Sequence, residues 1–363
     1  MPISRAWLAT ACAKTCEAVA KDCRTKCDLL EHGPAEGELA LAGLTVSISW
    51  DWSNCHHTDL TTKRPMLLLA ALFHDAVWRL ELLAPGSFMR CLVVADLHYS
   101  LPQFDWLLSA APLFDAVIFA GDALDVASIV DFRAQIVVVK KYFALLSETT
   151  RVMLCSGNHD LDVRSEVGEK IARWIGELRD IGIACDGESL RLDDILFTVC
   201  PWWDGPLLKA RIDAQLADAA SSRLRQWIWV HHAPPADSPT SWGGKRHFGD
   251  IELSQWIGRH EPSIVICGHV HQSPFITNGS WYDRIGATWV FNTGLQPGRP
   301  PSHIVLDLDR GKAYWLAVGQ AQWIDLHAPL HRPAQAIVEP PDWLISLGRI
   351  ADPILARPAE PAG

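Results

Sequence analysis

The sequence lacks any apolar run long enough to cross a bilayer. Its longest uncharged apolar stretch, Met66 to Phe73, has eight residues, against roughly 20 for a spanning helix. Met1 to Ala13 carries one Arg but is broken by polar residues, and it lacks the apolar centre of roughly 7–15 residues that an export signal needs. The expectation is a cytoplasmic protein without a transmembrane segment. Positive charge is also scarce: 32 Lys+Arg stand against 42 Asp+Glu, a formal net charge of −10. No global field draws such a chain to nucleic acid or an anionic membrane, so any polyanion must be gripped locally. Ten Cys in 363 residues do not make a small-protein disulfide framework. Cys91, Cys155, Cys200 and Cys267 lie in or beside apolar runs, where Cys packs as a small hydrophobe.

What is present is a globular composition, 49% hydrophobic with 17 Trp, enough for one large or two modest domains. From Met89 onward, continuous apolar runs of strand length stand at 91–95, 116–120, 152–155, 195–200, 227–230 and 264–267, as buried strands of α/β proteins do. Helical periodicity lies between them at 103–111, 129–147, 165–180, 206–219 and 251–260. Ser128, with Asp131 three residues on, reads as the N-cap of the second, and Pro206 as a first-turn residue of the fourth. After His271 the runs at 289–292, 303–309 and 313–318 imply closely spaced strands of a second, partly antiparallel sheet. Residues 331–363 are punctuated by Pro and read as an extended arm or loosely docked tail.

Residues 1–88 differ in character. On a helix, Cys12, Cys16, Cys23 and Cys27 fall within about 60° of one another but spread over about 22 Å, too far for one ion to take all four. They can contribute in pairs to a thiophilic site, with Cys55, His56 and His57 adding to it. They can equally line a packing stripe, or precede a natural start at Met89.

The chemistry stands at the C-terminal ends of the expected strands, where α/β sheets build their sites. In order come Asp96-Leu97-His98, Gly121-Asp122, Gly157-Asn158-His159-Asp160, His231-His232-Ala233-Pro234 and Gly268-His269-Val270-His271. In an extended segment residues i and i+2 point the same way, so Asp96 converges with His98, and His269 with His271. With Asp122, the Asn158 amide oxygen and one more His, the mixed O/N set suits Mn, Fe, Zn or Co, and its size suits two divalent ions. Two such ions, less two carboxylates and a bridging hydroxide, leave about +1, which attracts phosphate esters. Gly121, Gly157 and Gly268 let the backbone turn sharply and approach closely.

These blocks resemble the calcineurin-like metallophosphoesterase superfamily, whose pattern is D-x-H, G-D, G-N-H-[DE], H and G-H-x-H in that order. The tetrapeptide G-N-H-D alone is expected by chance about 0.002 times in a chain of this length. The resemblance covers about 89–271 and implies a four-layer α/β/β/α sandwich of two mixed β-sheets flanked by helices. That domain would span 89–330, after a mainly helical extension over 1–88. It implies Asp96, His98 and His271 on a first metal, Asp122 as a bridge, and Asn158, His269 and one of His231 or His232 on a second. His232-Ala233-Pro234 fits the family's register, with His231 the rival. His159 resembles the family's catalytic His, with Asp160 as its orienting group and Asp125 in support.

The implied activity is a metal-dependent phosphoric ester hydrolase attacking through a metal-bridging hydroxide. Val126-Ala127 and Asp160 stand where the Ser/Thr phosphatase branch carries Arg-Gly and Glu, which argues against a phosphoprotein substrate. The net charge argues against duplex DNA. The favoured substrate is a small phosphodiester, cyclic-nucleotide-like, with Tyr99, Trp202, Trp203, Trp242 and His247 as candidates to stack a base or line an apolar pocket. The alternatives are an inactive binding module of the same fold, a nuclease, or a nucleotide-pyrophosphate hydrolase.

Overall fold

A computed structural model describes residues 35–41, 44–50, 89–222 and 224–351. The chain divides into two compact units, Met1–Pro85 and Gly86–Gly363. In the first, Ala35–Leu41 and Leu44–Trp50 pair as an antiparallel hairpin. The helix expected through Cys12, Cys16, Cys23 and Cys27, and the Cys55-His56-His57 group, lie outside the described residues.

The second unit is built on two mixed sheets. One has eight strands, in the order Gln335–Ala336, Gln320–Asp325, Lys312–Ala317, His303–Asp307, Arg90–Val94, Ala116–Ala120, Arg151–Cys155, Ala184–Cys185. Its last four strands are parallel and its first four antiparallel. The other has six, in the order Tyr282–Ile285, Thr288–Asn292, Ile264–Cys267, Gln226–Val230, Ile195–Val199, Ser189–Leu192, with four parallel strands inside two antiparallel edges.

Alternation along the strands makes the layers. Cys91, Val93, Ile118 and Met153 of the larger sheet meet Phe197, Ile228 and Ile266 of the smaller one, while Leu92, Val94, Phe119 and Leu154 face outward against helices Leu101–Ala110 and Phe132–Ser147. On the far side, Trp229, Val265 and Val290 pack under helices Pro206–Ala220 and Ile251–His260. Each fully buried Leu or Phe contributes about 1.5–3 kcal/mol, so both sheets are fixed from two sides. This is the α/β/β/α sandwich. The thiols of Cys91, Cys155, Cys200 and Cys267 are buried, and burial pushes them well above their ordinary range.

Three local expectations are corrected. The helix expected at 165–180 is a small hairpin, Val163–Arg164 with Lys170–Ile171, followed by a single helical turn Arg173–Gly176 and a 3-10 turn Glu177–Ile181. Gly168 turns the hairpin at φ +88°, which brings the Glu169 carboxylate to the backbone N–H groups of Leu207 and Leu208 at 2.8 and 2.9 Å. It caps helix Pro206–Ala220, whose own Gly205 offers no side chain. The N-cap of Phe132–Ser147 is Asp131, accepting from Arg133 N and Ala134 N, and not Ser128. Beyond residue 331, Gln335–Ala336 joins a sheet edge and helix Asp342–Ala351 docks, with Leu347 in the core. No helix among the described residues is long and apolar enough to cross a membrane.

One core histidine makes the sandwich sensitive to acid. His303 is buried, donates from Nδ1 to the Pro301 carbonyl at 2.8 Å, and packs its ring against Trp106. Burial pushes its pKa down from 6.5 to about 4. Its contribution to stability is complete above the unfolded value of 6.5 and is lost as pH falls toward 4, about 3 kcal/mol in all. In the presence of a chelator, a His303→Gln chain should therefore lose less stability than wild type between pH 7 and 4, measured by urea unfolding at each pH.

Candidate metal centre

The parallel strands bring their C-terminal ends to one edge of the sandwich. Arg90–Val94, Ala116–Ala120 and Arg151–Cys155 deliver Asp96, Asp122 and the 157–160 loop from one sheet, while Gln226–Val230 and Ile264–Cys267 deliver His232 and His269 from the other. Backbone bonds stitch these loops together: Asp96 N donates to Gly121 O, His98 N to Asp122 O, and Gly268 N to His232 O, at 2.9–3.1 Å. The Asp96-Leu97-His98 pincer closes, but not through extended backbone. Asp96, His98, Asp122 and His269 have φ of +57°, +40°, +56° and +68°, a left-handed conformation that costs a non-glycine residue of order 1–3 kcal/mol and clusters at functional sites.

Beside a group of His98, Asp125 and His159, two further groups of potential ligands result, Asp96, His98, Asp122 and His271 in one and Asp122, His232 and His269 in the other. Asp122 belongs to both. Its Oδ1 accepts the His159 backbone N–H at 2.8 Å, and its Oδ2 lies 3.1 Å from His232 Nε2 and 3.8 Å from His98 Nε2. His269 and His271 divide between the groups. Asn158 Oδ1 lies 2.9 Å from His269 Nδ1.

Donor chemistry fits divalent ions. His232 Nδ1 donates to the Ala120 carbonyl at 2.7 Å, which leaves Nε2 with its lone pair. That Nε2 is fully buried without a hydrogen-bond partner, and it faces Asp122 at 3.1 Å and Asp96 at 3.8 Å. His98 Nε2 and His271 Nε2 approach to 3.0 Å, the convergence expected of nitrogens aimed at a common electrophile. Burial alone would raise Asp122, but His232 and His98 hold it well below the usual carboxylate range. Burial opposes protonation of His232, yet Asp122 and Asp96 lift it to about 9. His269, desolvated and next to His232, is pushed down to about 4. The protein holds the Asp122 carboxylate ionised with imidazoles packed against it, an arrangement a divalent cation satisfies by replacing the shared proton.

Each of the three glycines lies against a candidate ligand. A Cβ on Gly121 would strike the His232 ring, on Gly157 the Asp122 carboxylate, and on Gly268 the Asp96 carboxylate. Only Gly121, at φ +87°, is also left-handed. The other two are glycines because of close approach. Gly157→Ala should displace Asp122 and weaken metal loading about tenfold or more, read by titrating Mn²⁺ into the metal-free chain.

The other candidates separate. Asp160 is fully buried, and its carboxylate accepts the backbone N–H groups of Asp122, Ala123, Leu124 and Gly157 at 2.8–3.1 Å. It holds the Asp122 loop. The group beside the His159 imidazole is Asp125, at 3.8 Å, with Val126 N 3.3 Å from Nδ1. His231 turns away from the ligand groups: its Nδ1 donates to Ala233 O at 3.1 Å and its Nε2 lies 4.0 Å from Asp250. Trp202 covers the ligands, its ring 5.3 Å from that of His269 and 5.7 Å from that of His232. Trp203 donates to Asp250 at 2.8 Å, and both Trp residues line a cavity with His269. Tyr99 packs against the outer core of the larger sheet. Trp242 and His247 pack on each other, centroids 5.0 Å apart, with Trp242 donating to Thr277 O and His247 bonded through Ser241 and the Ser238 carbonyl. Phe248 and Asp250, which line that same cavity, carry no motif, and only the folded loop reveals them.

This arrangement defines a class of protein. The model of the calcineurin-like phosphoesterase family matches residues 89–273, just over half of the chain, and the chain belongs to that family. No curated protein matches it. Among solved structures, the chain is similar to protein TT1561 of Thermus thermophilus, at 15% identity over 66% of this chain and 100% of that one, TM-score 0.43. It is similar to purple acid phosphatase PPD1 from yellow lupin, Lupinus luteus, at 14% identity over 69% and 53% of the two chains, TM-score 0.44. It is also similar to a dimetal phosphatase from Danio rerio, at 11% identity over 63% and 96%, TM-score 0.42.

Proposed function

We propose that the chain is a hydrolase of small phosphodiesters that works with two divalent ions. The observation that carries this reading is the pair of ligand groups sharing Asp122, with the orphaned Nε2 of His232 buried between two carboxylates. Asp96, His98 and His271 would hold one ion and Asn158, His232 and His269 the other, with Asp122 shared between them. When bound, the ions would supply a nucleophile near neutral pH and positive charge for the phosphoryl oxygens.

The remaining steps belong to side chains. The Val126 N–H donates to His159 Nδ1, which places the imidazole proton on Nε2. His159 is thereby set to donate a hydrogen bond from Nε2–H to the charge developing on the departing oxygen, with Asp125 3.8 Å from the other ring nitrogen. Asp160 acts further back, fixing the loop that aims Asp122. A residual charge of about +1 at the centre suits a diester, which carries one negative charge, better than a dianionic monoester. We assign this activity, in the cytoplasm, to the unit that begins near residue 89 and includes the edge strand Gln335–Ala336 and the docked helix Asp342–Ala351.

Metal analysis and turnover decide the question together. The purified full chain supplied with Mn²⁺ should hold about two ions and hydrolyse bis(4-nitrophenyl) phosphate faster than 4-nitrophenyl phosphate. Two bound ions with neither ester cleaved would overturn the hydrolase, and a chain that stays empty under Mn²⁺ titration would favour a docking module.

A further inference from the structure

Trp202 lies against the second ligand group, its ring 5.3 Å from that of His269 at 49° and 5.7 Å from that of His232 at 63°. An apolar ring there keeps water from the imidazoles, which strengthens their hold on a cation and fixes their orientation. Yet the indole has no anchor of its own. The neighbouring Trp203 is pinned through its Nε1–H to Asp250, whereas the only hydrogen bond of Trp202 among the described residues runs from its backbone N–H to Ser156 Oγ, at 2.9 Å. Trp202 also lines two cavities, of about 700 and 530 Å³, so its ring has space to turn away.

Ser156 is built for that bond. It is buried, and it stands directly before Gly157-Asn158 at the C-terminal end of strand Arg151–Cys155. Its backbone N–H donates to Asp186 Oδ1 at 2.8 Å, and its hydroxyl also bonds the Asp186 carboxylate. A hydroxyl donates and accepts at once, so Ser156 Oγ points its hydrogen at Asp186 and receives the Trp202 N–H. Asp186 follows strand Ala184–Cys185, and Arg179 donates to its backbone carbonyl. The far end of the Trp202 loop is tied separately, by Lys170 N to Asp204 Oδ2 at 3.0 Å and by the Glu169 cap on helix Pro206–Ala220. Those bonds fix the start of the helix, and Ser156 alone reaches Trp202 itself.

Resting on the two-ion reading above, we propose that Ser156, oriented by Asp186, is a positioning residue: it holds Trp202 over His232 and His269 as the apolar cover of the second ion. Ser156→Ala isolates this task. Its backbone N–H still reaches Asp186, so the 157–160 loop stays tied, while the acceptor for Trp202 is gone.

The experiment titrates Mn²⁺ calorimetrically into the metal-free full chain, with a thermal melt of every variant. Trp202→Ala should weaken Mn²⁺ uptake about tenfold or more. Ser156→Ala should weaken it in the same direction by no more than that, and Ser156→Thr, which restores the hydroxyl, should return it toward wild type. Added to Trp202→Ala, Ser156→Ala should cause no further loss, because the ring through which it acts is already absent. Unchanged affinity in Trp202→Ala or in Ser156→Ala overturns the proposal, as does a Ser156→Ala effect that persists in the Trp202→Ala chain. If Ser156→Ala fails to fold, Trp202→Ala alone still decides, since its affinity either falls or does not. Variants that match a wild-type chain holding two ions remove this assignment alone, whereas a wild-type chain that takes up no Mn²⁺ removes the two-ion reading and this assignment with it.

Discussion

An Asp122→Ala chain should lose both metal and turnover: fewer than two ions per chain, and kcat/KM toward bis(4-nitrophenyl) phosphate lower by about three orders of magnitude or more. No other side chain belongs to both the Asp96-His98-His271 and the His232-His269 groups among the described residues. Its two oxygens are divided between tasks, Oδ1 on the His159 backbone and Oδ2 toward His232 and His98. Truncation leaves buried His232 without its carboxylate partner, and breaking a buried pair in this way costs about 3–5 kcal/mol. A thermal melt must therefore accompany the assay. Asp122→Asn separates the effects, because its amide oxygen can still accept from His159 N while the negative charge is gone. If Asp122→Asn folds like wild type yet keeps two ions and full activity, Asp122 is not the shared ligand.

His159→Ala should give the opposite combination. Turnover should fall by about 10²–10⁴, with metal content close to wild type. The contacts of the His159 ring are to Asp125, the Val126 backbone and, edge-on at 4.5 Å, His98. His159 also stands in the group with His98 and Asp125 that could hold an ion. Metal analysis discriminates, since loss of one ion in His159→Ala would make His159 a ligand rather than a hydrogen-bond donor to the leaving oxygen. Asp125→Asn should weaken turnover in the same direction by a smaller factor, with a shifted pH profile, if it acts through His159.

The convergence of these side chains was legible from residue types because coordination demands particular atoms at strand ends, and a parallel sheet sends those ends to one edge. Alternating apolar runs likewise announced the layers, as at Leu92 and Val94 against Cys91 and Val93. Other features depend on partners far along the chain. Nothing near residue 169 says that its carboxylate caps a helix beginning at Pro206, so helical periodicity prevailed over 165–180. The sequence adjacency of His159 and Asp160 suggested an orienting pair, but Asp160 turns to four backbone N–H groups and Asp125 takes the place beside the ring. Trp242 and His247 satisfied the chemistry of a base-stacking loop, yet they pack on each other. The wall built by Phe248 and Asp250 has no periodicity or spacing to read.

The donors come from both sheets, Asp96 and Asp122 from the larger and His232 and His269 from the smaller. Ions seated there would act as rivets across the sandwich, and the halves could not part without releasing them. Resistance to heat should then climb with free Mn²⁺, by about 2.7 kcal/mol per site at a hundredfold excess over Kd, and fall back when a chelator strips the rivets out.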